Sequence, residues 1–514
     1  MPLPQPLLSL FAEIPSAQLA QGSFEALIHG IEHDSRRVLP GYLFVAVPGF
    51  TSDGHTFIAD AVLAGAGAVM VEESRRPIWA YLPQDVAVIV VPDCRLAMSA
   101  AAAWFSRHPS RSLNVVGITG TDGKTTTSHL LTSVLEAGGR RVGRLGTVDT
   151  YMPGAAGKLS SRMSTPEAPE VHAILREMVV AGCDTAIVES TSHGLALHRL
   201  DHVDYDVAVM TNITGDHLDF HKTFEAYREA KSLLFAALDR PTGKSFPKVA
   251  VVNADDPSAA AMLAKTVAPM LRFALDARDA EVRATNLELG PAGSRFLLET
   301  TIGSAEVAIG LPGRFNVANA LAAAAAALAS GLGLRDIARG LRAARGVPGR
   351  MERIEAGQPF EVIVDYAHTG DAVRKVLASL RAVCAGRLIL VIGAAGDRDP
   401  GRRSGIGRAA AEGADFSIFT SEDPRLEDPA AIVRDIAASA EAAGHRPGID
   451  FIAIEDRREA IDEAVRRAGA GDIVLIAGKG HERSMIYGVE ARPWDDRDVA
   501  REALAAVGFA PRPS

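Results

Sequence analysis

The sequence has few cysteines and no long apolar run. Its 514 residues include three cysteines, Cys94, Cys183 and Cys384, which lie far apart and lack the spacing of a metal site. So few cysteines in so long a chain indicate a reducing compartment. In the Ala-rich segment, the longest apolar run, Ala320 to Ala329, has ten residues, whereas a membrane span needs about 20. We therefore expect a soluble cytoplasmic protein without membrane insertion.

Basic residues are not in excess either. The chain has 54 Lys and Arg against 63 Asp and Glu, a formal charge of −9, so no basic face for nucleic acid is indicated. The start of the chain, Met1 to Ser9, has no Lys or Arg before its leucines and is unlike a secretory signal. Hydrophobic residues make up 47% of the chain and charged residues 23%, which is typical of globular proteins and excludes wholesale disorder. At about 150 residues per domain, the length predicts three domains.

Short β-rich runs alternate with helical patterns, which predicts α/β domains with parallel sheets. Polar or glycine-rich breaks at 107–111 and 345–349 predict domains at 1–109, 110–346 and 347–514. The predicted strands are Tyr42 to Val47, Ala68 to Glu72, Val86 to Val91, Leu113 to Ile118, Thr185 to Glu189, Val207 to Thr211, Lys248 to Asn253, Glu361 to Asp365, Leu388 to Gly393, Phe416 to Thr420 and Ile473 to Ala477. The clearest predicted helices are Phe57 to Ala66, one from Lys124, Asp371 to Cys384, and Ala430 to Ala443.

A glycine-rich loop connects the predicted strand at 113–118 to a helix. It reads Gly120, Thr121, Asp122, Gly123, Lys124, Thr125, Thr126. In such a loop backbone N–H groups surround phosphate oxygens, the lysine reaches the β- and γ-phosphates, and the hydroxyl after it binds Mg²⁺. The strict spacing would place a glycine at 118, where this chain has Ile118. The loop predicts nucleoside triphosphate binding but does not name a reaction.

Further motifs follow in chain order and resemble those of the Mur ligase family. They are the phosphate loop, Glu189 to Gly194, Asn212 with Asp216 to Asp219, Lys231, Asn253 to Asp256, Asn316 with Asn319, Gly349-Arg350 and Asp365 to His368. The resemblance covers nearly the whole chain. It implies a small N-terminal α/β UDP-sugar domain, a central P-loop ATPase domain with a mostly parallel sheet, and a C-terminal Rossmann-like doubly wound domain.

The resemblance also implies an activity. The segments Asp34 to Arg36, Asp53 to His55, Gly396 to Asp399 and Gly478 to Glu482 look like those of the members that add a diamino acid to UDP-N-acetylmuramoyl-L-alanyl-D-glutamate in peptidoglycan precursor synthesis. Such an enzyme is an ATP-dependent amide ligase that works through an acyl phosphate and releases ADP and phosphate. We expect a monomer whose partners are these two substrates and ATP.

Family likeness assigns roles to single residues around ATP. Lys124, Glu189, His217 and Lys231 match catalytic positions, and Thr125, Glu189, His217 and a carbamylated Lys231 would hold Mg²⁺. Asn319, Arg350 and Asp365 match positions that contact the adenine, the phosphates and the ribose, with ATP between domains. Without the family, Lys231 would be a solvated helix cation, His217 a structural histidine, and Asn319 a cap before the Ala-rich helix.

The same likeness assigns the substrate positions. For the UDP-muramoyl dipeptide they are Ser35, Ser164, Thr165, Thr191 and Arg199; the Asp34-Ser35 pair could equally cap a turn, and Leu197 stands where some relatives have Gln. For the amino acid they are Arg398, Glu422, Asp423, Pro424, Arg425, Gly478 and Glu482. Arg425 favours a distal carboxylate and Asp423 a distal ammonium. We rank meso-diaminopimelate slightly ahead of lysine and ornithine.

Three other functions are open at this point. A P-loop kinase or GTPase would share the loop but would not need Lys231 or a third domain. Folylpolyglutamate synthetase shares the ATP-binding domains but not a UDP-sugar domain. A catalytically silent binding protein could keep the fold without the reaction.

Overall fold

The computed structural model describes residues 3–50, 52–78, 81–154, 163–398 and 401–509, with the backbone alone at 76–78. Asp399 and Pro400, in the predicted amino-acid-binding region, lie outside these ranges. The chain forms two compact units. The first runs to Arg283 and takes in Thr300–Ile302 and Leu321–Gly340; the second consists of Ala284–Glu299, Gly303–Ala320 and the chain from Leu341. In the described part, no helix is both long and apolar enough to cross a membrane.

The helices and strands alternate along most of the chain. The elements before residue 110 are β1 Gln5–Pro6, α1 Leu10–Glu13, β2 Gln18–Gln21, β3 Leu27–Ile28, β4 Gly30–Glu32, β5 Tyr42–Val45, α2 Ile58–Leu63, β6 Ala68–Glu72, β7 Ala87–Val91 and α3 Cys94–Phe105. Those from 110 to 275 are β8 Asn114–Thr119, α4 Lys124–Ala137, β9 Val142–Leu145, β10 Thr150–Tyr151, α5 Ala168–Val180, β11 Thr185–Glu189, α6 Ser192–Ala196, β12 Val207–Met210, α7 Leu218–His221, α8 Phe224–Ala236, β13 Val249–Asn253, α9 Ala259–Leu263 and β14 Met270–Ala274.

The remaining elements begin with three long strands. They are β15 Val282–Gly290, β16 Gly293–Thr300, β17 Gly303–Ile309, α10 Arg314–Ala329, α11 Leu334–Ala343, β18 Glu352–Arg353, β19 Glu361–Asp365, α12 Gly370–Arg381, β20 Leu388–Ile392, α13 Gly401–Gly413, β21 Phe416–Phe419, α14 Pro429–Ala442, β22 Phe451–Ala453, α15 Arg457–Arg467, β23 Ile473–Ala477, β24 Ser484–Tyr487, β25 Glu490–Pro493 and α16 Asp496–Ala506.

The first unit contains two mainly parallel sheets. One has the strand order β2-β7-β6-β5-β4, with β2 antiparallel to β7. In the other, the order is β10-β9-β11-β8-β12-β13-β14, and every pair except β10 with β9 is parallel. The strand β8, which leads into the phosphate loop, lies between β11 and β12 and is buried along its whole length. This arrangement brings the carboxyl ends of three neighbouring strands to one edge, where open α/β sheets bind ligands.

The second unit contains a sheet of order β18-β19-β23-β20-β21-β22, parallel except at β18. Two apolar clusters pack against its faces, one from α12, α13 and α14 and one from α15 and α16. The predicted α/β class is confirmed in both units. The strands β15 to β17 were not predicted, because their exposed faces are polar and weaken the hydrophobic signal.

His172 on α5 is fully buried, and neither of its ring nitrogens has a hydrogen-bond partner among the described residues. Burial lowers the pKa of His172 to about 3 from an ordinary 6.5, with smaller effects of His202 and His108. The ring is therefore neutral in the folded protein but becomes protonated in the unfolded chain below pH 6.5. The contribution of His172 to the unfolding free energy is therefore fully present above pH 6.5 and is lost as the pH falls from 6.5 towards 3.

We expect His172→Leu to remove this part of the acid sensitivity. Between pH 7 and pH 5.5 the wild type should lose about 1 kcal/mol more unfolding free energy than the variant, at about 1.4 kcal/mol per pH unit for one group. Urea unfolding at both pH values measures the difference, with exposed His29→Gln as the control. Equal pH dependence in His172→Leu and the wild type would contradict the assignment.

Candidate active site

The backbone of the glycine-rich loop has a shape that glycine makes possible. Gly120 has φ +154° and Gly123 φ +83°, values that other residues rarely adopt. A Cβ at Gly120 would lie 1.9 Å from Thr211 Oγ1, so the loop closes tightly onto the end of β12. Ile118 is a fully buried residue of β8. The loop therefore starts after Thr119 and does not need a glycine at position 118.

Two lysines converge on the same carbonyl of the loop. Lys124, the first residue of α4, donates from Nζ to the carbonyl oxygens of Gly120 at 2.8 Å and Thr121 at 2.9 Å. Lys231 on α8 donates to Gly120 O at 2.7 Å and is 1% exposed. Burial, followed by repulsion from Lys124, lowers the pKa of Lys231 well below its ordinary value. The interpretation of Lys231 as a solvated helix cation is therefore wrong.

The Glu189 carboxylate, at the end of β11, is fully buried and held by hydroxyl groups. Thr125 Oγ1 donates to Oε2 at 3.0 Å, Thr147 Oγ1 lies 2.8 Å from the same oxygen, and Ser128 Oγ lies 3.3 Å from Oε1. Thr125 and Glu189, which the motifs predict as Mg²⁺ ligands, are thus in contact in the structure. They did not point to Ser128 or Thr147; the signal for Thr147 is a Gly-Thr pair directly after β9.

His217 lies before α7 with φ +52° and a half-exposed side chain. Its Nε2 is 3.4 Å from Asp216 Oδ2, and its ring packs edge-on against His193 at 4.8 Å between centroids. Burial, and then His217 and His221, lowers the pKa of His193 to about 4. Among the described residues no group of three or more His, Cys, Asp and Glu is placed to hold a metal. The predicted Mg²⁺ ligands are Thr125, Glu189, His217 and a carbamylated Lys231. This ligand set stays a prediction.

Four of the five residues predicted for the UDP-muramoyl dipeptide, all except Ser35, lie together beside Glu189. Thr165 Oγ1 donates to the Glu189 carbonyl at 2.8 Å, and Thr191 Oγ1 is 3.0 Å from Thr165 Oγ1. Arg199 donates to Thr165 O at 3.0 Å. Ser164 Oγ lies 2.8 Å from Thr147 Oγ1. The cluster therefore joins the segment around 163–165 to the carboxylate at the end of β11.

Ser35 lines a pocket of about 590 Å³ in the first unit, together with Arg36, Arg95 and Glu167 among others. Asp34 caps the short turn Ser35–Arg37 by accepting from the Arg36 N–H, so the turn-cap interpretation applies to Asp34. The Arg36 guanidinium lowers the pKa of Asp34 to about 2. Arg95 on α3 donates to Pro48 O at 2.9 Å and adds a second cation to the pocket lining, which the motifs did not indicate.

In the second unit, two predicted nucleotide residues lie inside a helix and not before it. Asn316 and Asn319 are buried residues of α10, and Asn319 Nδ2 donates to Asn316 Oδ1 at 3.2 Å. The interpretation of Asn319 as a cap is therefore wrong, since α10 begins at Arg314. Asp365 accepts from the N–H groups of Met351 and Ala367, both at 2.8 Å, and burial raises its pKa.

The Arg350 guanidinium, also in the second unit, lies 4.6 Å from the centre of the Tyr366 ring. Its Nε is buried and has no hydrogen-bond partner among the described residues. Tyr366 is the neighbour of Asp365 in the chain, so the predicted phosphate and ribose residues share one region of this unit.

Within the predicted amino-acid region, Asp423 does not present a free negative charge. Lys479, which is fully buried, donates from Nζ to Asp423 Oδ1 at 2.7 Å and to Glu482 Oε2 at 2.5 Å. The same Asp423 oxygen accepts from the Ile486 N–H at 2.9 Å. The expectation that Asp423 favours a distal ammonium is weakened, because the Lys479 side chain compensates its charge. Lys479 and Glu482 both lie in the Gly478–Glu482 motif, but Asp423 is 56 positions away in sequence.

Glu422 is buried against Gly478, where a Cβ would lie 2.1 Å from Glu422 Oε2. Burial, which Arg457 and Lys479 oppose, raises the pKa of Glu422 to about 7. Arg425, with φ +55°, donates its N–H to Ile486 O at 3.0 Å, and its buried Nε has no partner in the described ranges. Arg398 is exposed, and Glu482 lies 3.5 Å from the Tyr366 hydroxyl. Arg398 and Glu482 were both predicted to bind the amino acid, and this role stays a prediction.

Comparison with known proteins gives consistent matches along the chain. Residues 27–105 match the sequence family described as Mur ligase family, catalytic domain; 118–327 match the Mur ligase middle domain; and 349–480 match the Mur ligase glutamate ligase domain. A UDP-N-acetylmuramyl-tripeptide synthetase from Roseiflexus sp. (strain RS-1) is 47% identical over 94% of this chain and 95% of its own length.

Two further relatives carry a more specific name. A UDP-N-acetylmuramoyl-L-alanyl-D-glutamate–2,6-diaminopimelate ligase from Geobacillus thermodenitrificans (strain NG80-2) is 42% identical over 97% of this chain and 99% of its own. A solved structure of a ligase of that name is 32% identical, covers 99% of this chain and 100% of its own, and has a TM-score of 0.70. Identity at this level over nearly the full length, together with the ordered motifs and the three-part match, shows that the chain belongs to the Mur ligase family.

Proposed function

We propose that the protein joins the free carboxylate of UDP-N-acetylmuramoyl-L-alanyl-D-glutamate to an amine of a diamino acid at the expense of ATP. The observation that carries the proposal is the meeting of three parts in the first unit. These parts are the phosphate loop with Lys124, the buried Lys231, and the Glu189 carboxylate. They adjoin the cluster formed by Thr165, Thr191 and Arg199. The names of the relatives support this substrate pair.

Amide formation from a carboxylate is uphill in water, so the carboxylate must first attack the γ-phosphate of ATP, which gives an acyl phosphate and releases ADP. Two anions have to meet, and cations placed in advance lower the cost of that approach. Lys124 supplies one such charge from the start of α4. The amine then attacks the acyl phosphate, and phosphate leaves. Arg350, Asp365 and Asn319 are proposed contacts of ATP, as their family positions imply.

Magnesium fits the donors near the loop. The hydroxyl of Thr125 and the carboxylate of Glu189 are hard oxygen ligands, which Mg²⁺ prefers, and the bound ion would neutralise phosphate charge. We also propose that Lys231 is carbamylated. Its depressed pKa raises the fraction of uncharged, nucleophilic amine, and addition of that amine to CO₂ with loss of a proton gives an anionic oxygen donor. His217 is a proposed ligand on family grounds.

For the diamino acid we propose meso-diaminopimelate. Arg425 has a buried Nε without a partner among the described residues and matches a position that binds a distal carboxylate. The charge of Asp423, which favoured lysine or ornithine, is compensated by Lys479. Two relatives are named for 2,6-diaminopimelate.

We further propose that the domains span residues 1–109, 110–346 and 347–514. We also propose that the protein is a monomer and that it is located in the cytoplasm.

We expect Arg425→Ala to raise the apparent KM for meso-diaminopimelate by roughly 30-fold or more. The distal carboxylate of the substrate would lose its charged partner, which costs about 2–5 kcal/mol of binding free energy. Each tenfold change in affinity corresponds to about 1.4 kcal/mol. The KM values for lysine and ornithine should change little. Arg434→Ala, which removes an exposed arginine on α14, is the control. An equal effect on all three amino acids would contradict meso-diaminopimelate as the substrate read by Arg425.

The test of the function is a ligation assay with the purified protein, ATP, Mg²⁺, UDP-N-acetylmuramoyl-L-alanyl-D-glutamate and each of the three diamino acids. We expect ADP release that requires both substrates. ADP release independent of them would favour a kinase or GTPase, and ligation of glutamate to a folate would favour folylpolyglutamate synthetase. ATP binding without turnover would identify a silent binding protein. The match of residues 27–105 to the Mur ligase catalytic family favours the first outcome.

A further inference from the structure

We infer that Thr147 is a positioning residue that couples the Glu189 carboxylate to the muramoyl-dipeptide segment through Ser164. The inference rests on the proposed function. Thr147 lies between β9 and β10, and its hydroxyl oxygen is 2.8 Å from both Glu189 Oε2 and Ser164 Oγ. No other described residue is within hydrogen-bond distance of both groups in this structure. One hydroxyl therefore bridges the phosphate side of the site and the dipeptide side.

The chemistry of a hydroxyl gives this bridge a direction. A threonine hydroxyl has one proton to donate and can accept as well. A carboxylate oxygen is a stronger acceptor than a hydroxyl oxygen, because charge-assisted hydrogen bonds are about twice as strong as neutral ones. In both contacts Thr147 Oγ1 is the donor, so Glu189 and Ser164 share its one proton. A substrate contact that draws Ser164 away from this proton leaves the proton to the bond between Thr147 and Glu189.

The backbone before Thr147 is built for this approach. A Cβ at Gly146 would lie 2.4 Å from Glu189 Oε1, so only glycine lets the chain pass close enough for the next residue to reach the carboxylate. The segment is also fixed from outside. Arg144 and Asp149 form a buried ion pair at 2.7 Å, and Arg144 donates to Thr132 Oγ1 at 3.0 Å. Contacts within the protein thus hold the segment that carries Thr147.

The segment at 163–165 has a second connection to Glu189. Thr165 Oγ1 donates to the Glu189 backbone carbonyl, which anchors the segment whether or not Thr147 is present. Loss of the Thr147 hydroxyl should therefore leave the segment in place and remove only its link to the carboxylate side chain. By linkage, a coupling of this kind acts equally in both directions: dipeptide binding strengthens nucleotide binding, and nucleotide binding strengthens dipeptide binding.

The test measures the affinity for ADP with Mg²⁺ by calorimetry, with and without saturating UDP-N-acetylmuramoyl-L-alanyl-D-glutamate. In the wild type we expect the dipeptide substrate to tighten nucleotide binding about fivefold or more, the usual lower range of coupling between sites. In Thr147→Val, which keeps the shape and loses the hydroxyl, the factor should fall below about twofold. Thr147→Ser should restore it, and Thr147→Ala repeats the test without a bulky side chain.

Thr150→Val is the matched control, since the Thr150 hydroxyl is buried in the same segment and has no partner among the described residues. It should keep the wild-type coupling. Wild-type coupling in folded Thr147→Val, equal loss in the valine and serine variants, or no coupling in the wild type would each overturn the inference while ligation by the wild type stands. A wild type that does not ligate would overturn the proposed function and this inference with it.

Discussion

Lys124→Ala is expected to fold normally and to lose ligation. The Lys124 ammonium contacts two carbonyls of its own loop, Gly120 and Thr121, so its removal should lower the unfolding free energy by less than about 1 kcal/mol. In the reaction, however, it is the cation proposed to face the phosphates. Removing a group that stabilises developing charge costs 10²–10³ in rate, or about 3–4 kcal/mol. We expect kcat to fall by about 10³.

The measurement is ADP release and product formation by Lys124→Ala at saturating substrates, with a thermal unfolding curve for the same sample. Lys265→Ala is the control, because Lys265 is a partly exposed lysine that pairs with Glu229 on the surface of the same unit. Near-wild-type ligation by a folded Lys124→Ala protein would refute the assignment of the glycine-rich loop to the phosphates.

Lys231→Ala is expected to be almost inactive and to recover part of its activity with added short-chain carboxylates. Lys231 is buried, and its Nζ lies on the Gly120 carbonyl; an alanine leaves a space beside the phosphate loop. If the wild type carries a carbamate there, its oxygens are what the variant lacks, and a small carboxylate can replace them. We expect a rate loss on the order of 10²–10³.

Isotopically labelled bicarbonate tests the carbamate directly. The wild type should show a carbamate carbon signal by NMR that is absent in Lys231→Ala and present in Lys265→Ala. The lowered pKa of Lys231 favours the modification, because an uncharged amine is the form that reacts with CO₂. An unmodified lysine in the wild type, together with an active alanine variant, would remove this part of the proposal.

The sequence by itself determined the features that depend on neighbouring residues. The glycine-rich loop needs glycines at 120 and 123, a strand before it and a helix after it, and each of these is a local matter of φ angles and backbone hydrogen bonds. The α/β class followed from the strand runs, whose bounds differ from those observed by no more than two residues. Family motifs also brought Thr125 to Glu189 and grouped Thr165, Thr191 and Arg199.

Only the tertiary structure decided the charges and the contacts between distant segments. Whether Lys231 is solvated or buried, whether Asp423 meets Lys479, and whether Thr147 reaches both Glu189 and Ser164 depend on residues 17 to 111 positions apart. The desolvation of an ammonium or the pairing of a carboxylate is set by everything packed around it. A motif names the group, but only the packing of the sheets and loops determines its pKa and its partner.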